Sequence, residues 1–193
     1  MKPVYECFEW DNTWIEHTEN TTSPRFLYIG DSISVGTRPA ANAMAEGKLL
    51  FDHFGTSKAL DNPCFFDSLA LFASQTLPPK VVFFNNGHHG WHLDEETYAV
   101  LYAEFLDKLM AKFGRVIHVL TTYSTSDWSP NHRVEARNAA VRRIAAERGL
   151  PVVDFYTVAY EHRDHLTDGI HLDGEGYKAL AAELLRAAGE LCP

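Results

Sequence analysis

Apolar residues fall along this chain in two alternating kinds of segment. Short, largely apolar runs rich in aromatic and β-branched residues occupy Phe26–Ile29, Leu49–Phe54, Val81–Phe84, Val116–Leu120 and Val152–Phe155. Runs of this length predict strands covered on both faces. Longer stretches between and after them have helical spacing. The clearest spans Asp94 to about Lys112, where Tyr98, Leu101, Tyr102, Phe105, Leu106 and Leu109 form one apolar stripe. A second helix is predicted from about Val134 to Arg148, stopped by Gly149 and followed by Pro151, and a last from about Glu175 to Ala188.

Strand–helix alternation implies right-handed crossovers. The predicted fold class is therefore α/β, a three-layer α/β/α sandwich around a five-stranded parallel sheet. No repeat, low-complexity tract or linker divides residues 25–193, which read as a single domain. Residues 1–24 fit no element. They are polar and aromatic, with Tyr5, Phe8, Trp10 and Trp14, and read as an N-terminal arm packed on the body. Ligands of open parallel sheets sit beyond the carboxyl ends of the strands. That rule singles out the loops Gly30–Val35, Gly55–Ala59, Asn85–Leu93, Thr121–Pro130 and Tyr156–Gly174.

Composition narrows the function classes. At 193 residues, 46% hydrophobic and 22% charged, the chain has the balance of an ordinary globular domain. A formal net charge of −9 argues against a nucleic-acid partner and against docking on an anionic membrane. No apolar run approaches the roughly 20 residues needed to span a bilayer. Met1–Asn12 carries Glu6, Glu9 and Asp11 and does not read as a secretory signal. Cys7, Cys64 and Cys192 are odd in number and lack CxxC spacing, the usage of free thiols in a reducing compartment, so a cytoplasmic location is expected. Nothing in the sequence specifies an oligomeric state.

Two loops carry candidate chemistry. The first apolar strand runs into Gly30-Asp31-Ser32, and a helix is predicted to begin at about Val35. A serine on such a turn stands at the top of the sheet beside backbone N–H groups that favour developing negative charge. The turn is like a nucleophile elbow, without the GxSxG spacing of α/β-hydrolases. The plainer reading is that Ser32 or Asp31 only caps the helix. The late loop reads Asp168-Gly-Ile-His171-Leu-Asp-Gly-Glu-Gly-Tyr177. Asp and His three residues apart on a tight loop can meet each other and face one serine, as base and orienting carboxylate. The plainer reading is a solvated surface histidine, and Asp164 and His165 lie close by.

Taken together these blocks resemble the SGNH (GDSL-type) hydrolases, from about Arg25 to the last helix, with its flavodoxin-like fold. In that family Gly-Asp-Ser holds the nucleophile, matching Gly30-Asp31-Ser32, and a glycine after the second strand matches Gly55 in His53-Phe-Gly-Thr-Ser57. The closing Asp-x-x-His matches Asp168 and His171, with Gly-Tyr following. The third block departs. The family has Gly-x-Asn-Asp, whose Asn donates to the oxyanion, where this chain has Asn85-Asn-Gly-His-His-Gly90. Aligned on Gly87, the Asn position is His89, an arrangement similar to a bacterial subgroup with Asn-Asn-Gly-Leu-His-Gly that is associated with polysaccharide breakdown.

The resemblance implies a serine esterase that needs no cofactor and no metal. Ser32 would attack an ester carbonyl, His171 would take its proton and Asp168 would stabilise the imidazolium. The backbone N–H groups of Ser32 and Gly55 would hold the oxyanion, with a third donor from His89 or Asn86. Asp31, Asn85, His88 and Trp91 are the candidate substrate-binding residues around them. A short-acyl ester of a small molecule or oligosaccharide is the expected substrate, an acetylated sugar first. Lipase, thioesterase and arylesterase activities are the family's alternatives, and no exposed apolar lid segment points to long acyl chains.

Two readings from other classes compete. His88, His89 and His92 with Asp94 invite a metal, but neighbouring histidines on an extended loop point apart, so no metal site is expected. Trp10, Trp14, Trp91 and Trp128 suit a sugar-binding protein, yet such a module has no need of a serine elbow. Thr121, Thr122 and Asp127 read as turn or pocket residues, and Arg137 and Asn138 as structural hydrogen-bonders or solvated side chains.

Overall fold

The computed structural model describes residues 5–191. Its six strands are β1 (Asp11–Trp14), β2 (Arg25–Gly30), β3 (Leu50–Thr56), β4 (Val81–Phe84), β5 (Val116–Val119) and β6 (Val152–Val153). The helices are α1 (Ser32–Ala45), α2 (Phe65–Ala73), α3 (Glu95–Phe113), α4 (Asn131–Glu147), α5 (Phe155–Glu161) and α6 (Gly174–Gly189). One sheet in the order β1-β3-β2-β4-β5-β6 separates two helical layers. The strands β2 to β6 pair in parallel, whereas β1 pairs antiparallel with β3. None of the described helices is long and apolar enough to cross a membrane.

Alternate residues of the central strands feed opposite cores, as a two-sided strand requires. Leu27, Ile29, Phe54, Val82 and Phe84 pack with α2, α3 and α4 residues such as Phe65, Tyr102, Phe105 and Val141. Phe26, Tyr28, Phe51, Val81 and Phe83 face Ala41 of α1 and Leu180, Ala181 and Leu184 of α6.

The three-layer α/β fold is present, with corrections at its margins. The sheet has six strands rather than five, because Asp11–Trp14, read as part of an arm without an element, is the antiparallel edge. Its polar, exposed residues carry no apolar run, so backbone pairing with Thr56 to His53 defines it. The first helix starts at Ser32, three residues before the predicted start, because Asp31 takes the N-cap and accepts from Ile33 N. The late loop contains α5 and a 3-10 turn, Arg163–His165. The last strand stops at Val153, since Asp154 caps α5 through Thr157 N.

A buried ion pair docks the arm. Arg25 Nη1 lies 2.5 Å from Asp52 Oδ1 across β2 and β3, and both side chains are almost wholly buried. The same guanidinium donates to the carbonyls of Glu16, His17 and Asn20, and Glu16 N donates to Asp52. Arg25→Met leaves the Asp52 carboxylate buried without its cation and frees three carbonyls. A loss of about 3–5 kcal/mol is expected, measured as a lowered denaturant midpoint, with Arg25→Met/Asp52→Leu recovering part of it.

Candidate active site

The register of the sheet brings the motif loops to one level. Gly30 lies opposite Gly55 and Ile29 opposite Phe84, so the loops after β2, β3 and β4 leave the sheet side by side. Ser32 is the first residue of α1, where backbone N–H groups lack helical partners and the helix dipole is positive. Its hydroxyl oxygen is 2.6 Å from His171 Nε2, and His171 Nδ1 is 2.7 Å from Asp168 Oδ2.

The late loop reaches this geometry by closing on itself. Leu166 bridges to Leu172, and Thr167 donates from both N and Oγ1 to the His171 carbonyl. Asp168 Oδ1 accepts from the N–H groups of Ile170 and His171, at 3.0 and 2.8 Å. Gly169 adopts φ +88°, and a Cβ there would lie 2.9 Å from Thr125 Oγ1 and 3.1 Å from Ser126 N. Only glycine suits both the positive φ and that approach. Partial burial pushes the Asp168 carboxyl upward, but its bonds from the His171 ring and the two N–H groups bring it down to about 2. It is a carboxylate across the whole working pH range.

The third block is buried throughout. Asn85 Nδ2 donates to Val119 O and Thr121 Oγ1, which ties β4 to β5. His88 is fully buried, its two ring nitrogens 2.7 Å from Ser129 Oγ and 2.8 Å from Thr122 Oγ1. Burial pushes this imidazole down to about 4, so it is neutral framework. Asp31, also buried, is spent on capping α1. Asp31, Asn85 and His88, the candidate substrate-binding residues, are all buried; His88 has both ring nitrogens bonded within the protein, and Asp31 Oδ2 has no partner among the described residues. Trp91 likewise lies against the Arg137 guanidinium, 3.9 Å from its ring centroid, with Arg133 at 5.0 Å.

Of the two candidate oxyanion donors, Asn86 is engaged elsewhere, for its Nδ2 donates to Lys58 O at 3.0 Å. His89 packs its ring nearly perpendicular to those of Trp10 and Trp128, at centroid distances of 6.2 and 5.3 Å. His92 pairs with Asp61 at 2.9 Å, so the three histidines of this loop do not converge. Among the described residues no cluster of His, Cys, Asp or Glu could hold a metal ion.

Arg137, read as a structural hydrogen-bonder or a solvated side chain, takes the first of these roles. It is completely buried, and its guanidinium donates to the carbonyls of Gly87, His89 and Gly90 at 3.0, 2.6 and 2.8 Å. Burial lowers it to about 10, which leaves it cationic. Asn138 beside it exchanges two hydrogen bonds with the Thr121 backbone. Its spacing held the clue, since Arg137 shares the buried stripe of Val134 and Val141 on α4. A second serine–histidine pair, Ser34 Oγ to His53 Nε2 at 2.7 Å, is buried and donates to Asp31 O instead of facing solvent.

A serine hydroxyl, an imidazole and a carboxylate in series form the arrangement that activates an oxygen nucleophile. The model of the GDSL-like lipase/acylhydrolase family matches residues 28–179. A solved structure of a lipolytic G-D-S-L protein from Veillonella parvula is similar at 21% identity and TM-score 0.72, covering 85% of this chain and 97% of that one. A lipase/acylhydrolase from Enterococcus faecalis is similar at 17% identity and TM-score 0.67, with 85% and 94% covered. A Geobacillus acetyl-xylooligosaccharide esterase is similar at 16% identity and TM-score 0.64, with 86% and 94% covered. Likeness at such identities speaks for the fold and not for the substrate. No curated protein matches the chain in sequence.

Arg137→Met takes the donors from three carbonyls, each worth about 1–3 kcal/mol when left unsatisfied. A destabilisation above about 3 kcal/mol is expected in chemical denaturation, and no measurable change would mean that the loop holds itself.

Proposed function

Since this chain belongs to the GDSL-like lipase/acylhydrolase family and is an ester-bond hydrolase, we propose that Ser32, His171 and Asp168 are its catalytic triad and that its substrate is a short-acyl ester of a carbohydrate, an acetylated sugar. The observation that supports the triad is the unbroken hydrogen-bonded run from Ser32 Oγ through His171 to Asp168.

Ser32 Oγ bonds to the ester carbonyl carbon as its proton passes to His171 Nε2. Asp168, ionised throughout, stabilises the imidazolium and keeps the ring turned toward the serine. The oxyanion lies against the N–H groups at the start of α1, Ser32 first, whereas Gly55 stands inside β3, paired with Asn12 of β1 and Gly30 of β2. Collapse of the tetrahedral intermediate breaks the bond to the alcohol, which leaves with the proton held by His171. Water then attacks the acyl-serine and gives a proton to His171. A second collapse frees the acid and returns the proton to Ser32 Oγ.

The substrate assignment rests on the surroundings. Trp128, 48% exposed, stands on the 121–130 loop, which contacts the catalytic loop through Thr125 N donating to Gly169 O. An exposed indole face suits a sugar ring. Solved structures of similar fold include an acetyl xylan esterase and an acetyl-xylooligosaccharide esterase.

Ser32→Ala is expected to abolish hydrolysis of p-nitrophenyl acetate while leaving the thermal transition in place; retained turnover would remove the triad assignment. Asp168→Asn should lower kcat by roughly four orders of magnitude. Across p-nitrophenyl esters of rising acyl length, kcat/KM should be highest at acetate, and acetylated xylo-oligosaccharides should release acetate. A maximum at long chains would replace the sugar-acetate reading with a lipase.

A further inference from the structure

His89 occupies the third-block position, and the hydrogen atoms it offers depend on its partner. The two rings at its flanks come from either side of β2 and β4. Trp10 precedes β1 and pairs through its backbone with Ser57, just beyond β3, whereas Trp128 follows β5. A side chain that touches both spans the mouth over β2, from which Ser32 emerges. Trp128 is held firmly there, because the adjacent Ser129 is buried and bonded to His88.

The two nitrogens of His89 meet different surroundings. Nδ1 is buried and has no hydrogen-bond partner within the described residues, but Glu6 Oε1 of the arm faces it at 3.7 Å. The same oxygen accepts from Gly90 N at 2.7 Å, so the carboxylate is anchored to the loop that carries His89. The His89 ring chiefly holds the Glu6 carboxyl below its usual range, so it is ionised. Nε2, in contrast, has no bonding partner among the described residues and keeps contact with solvent.

We propose that His89 is a recognition residue for the alcohol part of the substrate, its Nε2 accepting a hydrogen bond from a sugar hydroxyl, with Glu6 as the positioning residue that fixes the ring. A carboxylate facing Nδ1 draws the ring proton to that nitrogen and leaves a lone pair on Nε2. A neutral ring in that tautomer is an acceptor and cannot donate to an oxyanion, which is the role that the family resemblance gives to this position. The oxyanion is then left to backbone N–H groups at the start of α1. A hydroxyl donor near the ester is what an acetylated sugar provides and a p-nitrophenyl ester lacks. The inference rests on the esterase reading above.

Histidine-selective 15N NMR on the full chain tests the tautomer without reference to activity, with His89→Asn identifying the signals. A protonated Nδ1 and a bare Nε2 are expected; a neutral ring protonated at Nε2 overturns the proposal. In kinetics, His89→Phe keeps aromatic packing between the two tryptophans without an acceptor. It should raise KM for acetylated xylo-oligosaccharides about tenfold, the order of one hydrogen bond, with the loss falling on KM more than on kcat. Glu6→Gln should raise the same KM several-fold. Unchanged KM in both variants, or a hundredfold fall in kcat on sugar and p-nitrophenyl esters alike, which marks a lost oxyanion donor, overturns it. Ester hydrolysis that persists in Ser32→Ala fails the underlying reading instead, and leaves the NMR result standing.

Discussion

Everything at the catalytic end hangs on the register in which three parallel strands terminate. With Gly30 opposite Gly55 and Ile29 opposite Phe84, the loops after β2, β3 and β4 open onto one ledge. No hairpin turn sets this register, because parallel strands meet only through long crossovers. Buried side chains must set it. Arg25 meets Asp52, and Ser34 meets His53, only when β2 and β3 stand as they do. A slip of one residue would carry Asp52 and His53 to the wrong faces and strand both partners. Burial pushes His53 down to about 3, so this contact holds a neutral ring at any physiological pH.

The ledge also needs its irregular backbone satisfied, since Asn85–Gly90 leaves the ladder while still buried. Donors arrive from below, where Arg137 serves three carbonyls, and from Tyr98 Oη, which donates to Asn86 O. An acceptor arrives from the side, where Glu6 takes the Gly90 N–H. The loop is thus shaped by α4 and by the arm together. Gly87 permits this closeness: a Cβ there would fall 1.6 Å from Thr121 Oγ1.

This division explains what was legible in the sequence. The proposed triad is legible because its geometry is local: the serine follows a strand end, and the histidine and aspartate share one self-closed loop. The strands β2, β4 and β5 could be read because burial on both faces writes itself as apolar runs. The strand β1 could not, since Asp11-Asn-Thr-Trp14 is polar and owes its form to pairing with β3. The helix α2 also escaped notice, because Phe65–Ala73 is apolar nearly all round and begins at Cys64 with no side-chain cap. The fates of His88, Asn85 and Asp31 depended on hydroxyls and carbonyls distant in sequence, which spacing cannot reveal.

The same reasoning links the altered third block to the arm. A short amide at position 89 would carry its own donor wherever the side chain turned. An imidazole has one donor and one acceptor when neutral, and what it presents is decided by whatever faces its other nitrogen. Glu6 supplies that decision from a segment outside the matched residues 28–179. Exchange of asparagine for histidine therefore makes sense only together with an arm that reaches the site. The arm reaches it because Arg25, buried at the start of β2, gathers the carbonyls of Glu16, His17 and Asn20 onto the sheet edge. The proposed catalytic groups lie within the matched residues 28–179, and the group proposed to meet the alcohol is faced by Glu6 from outside them.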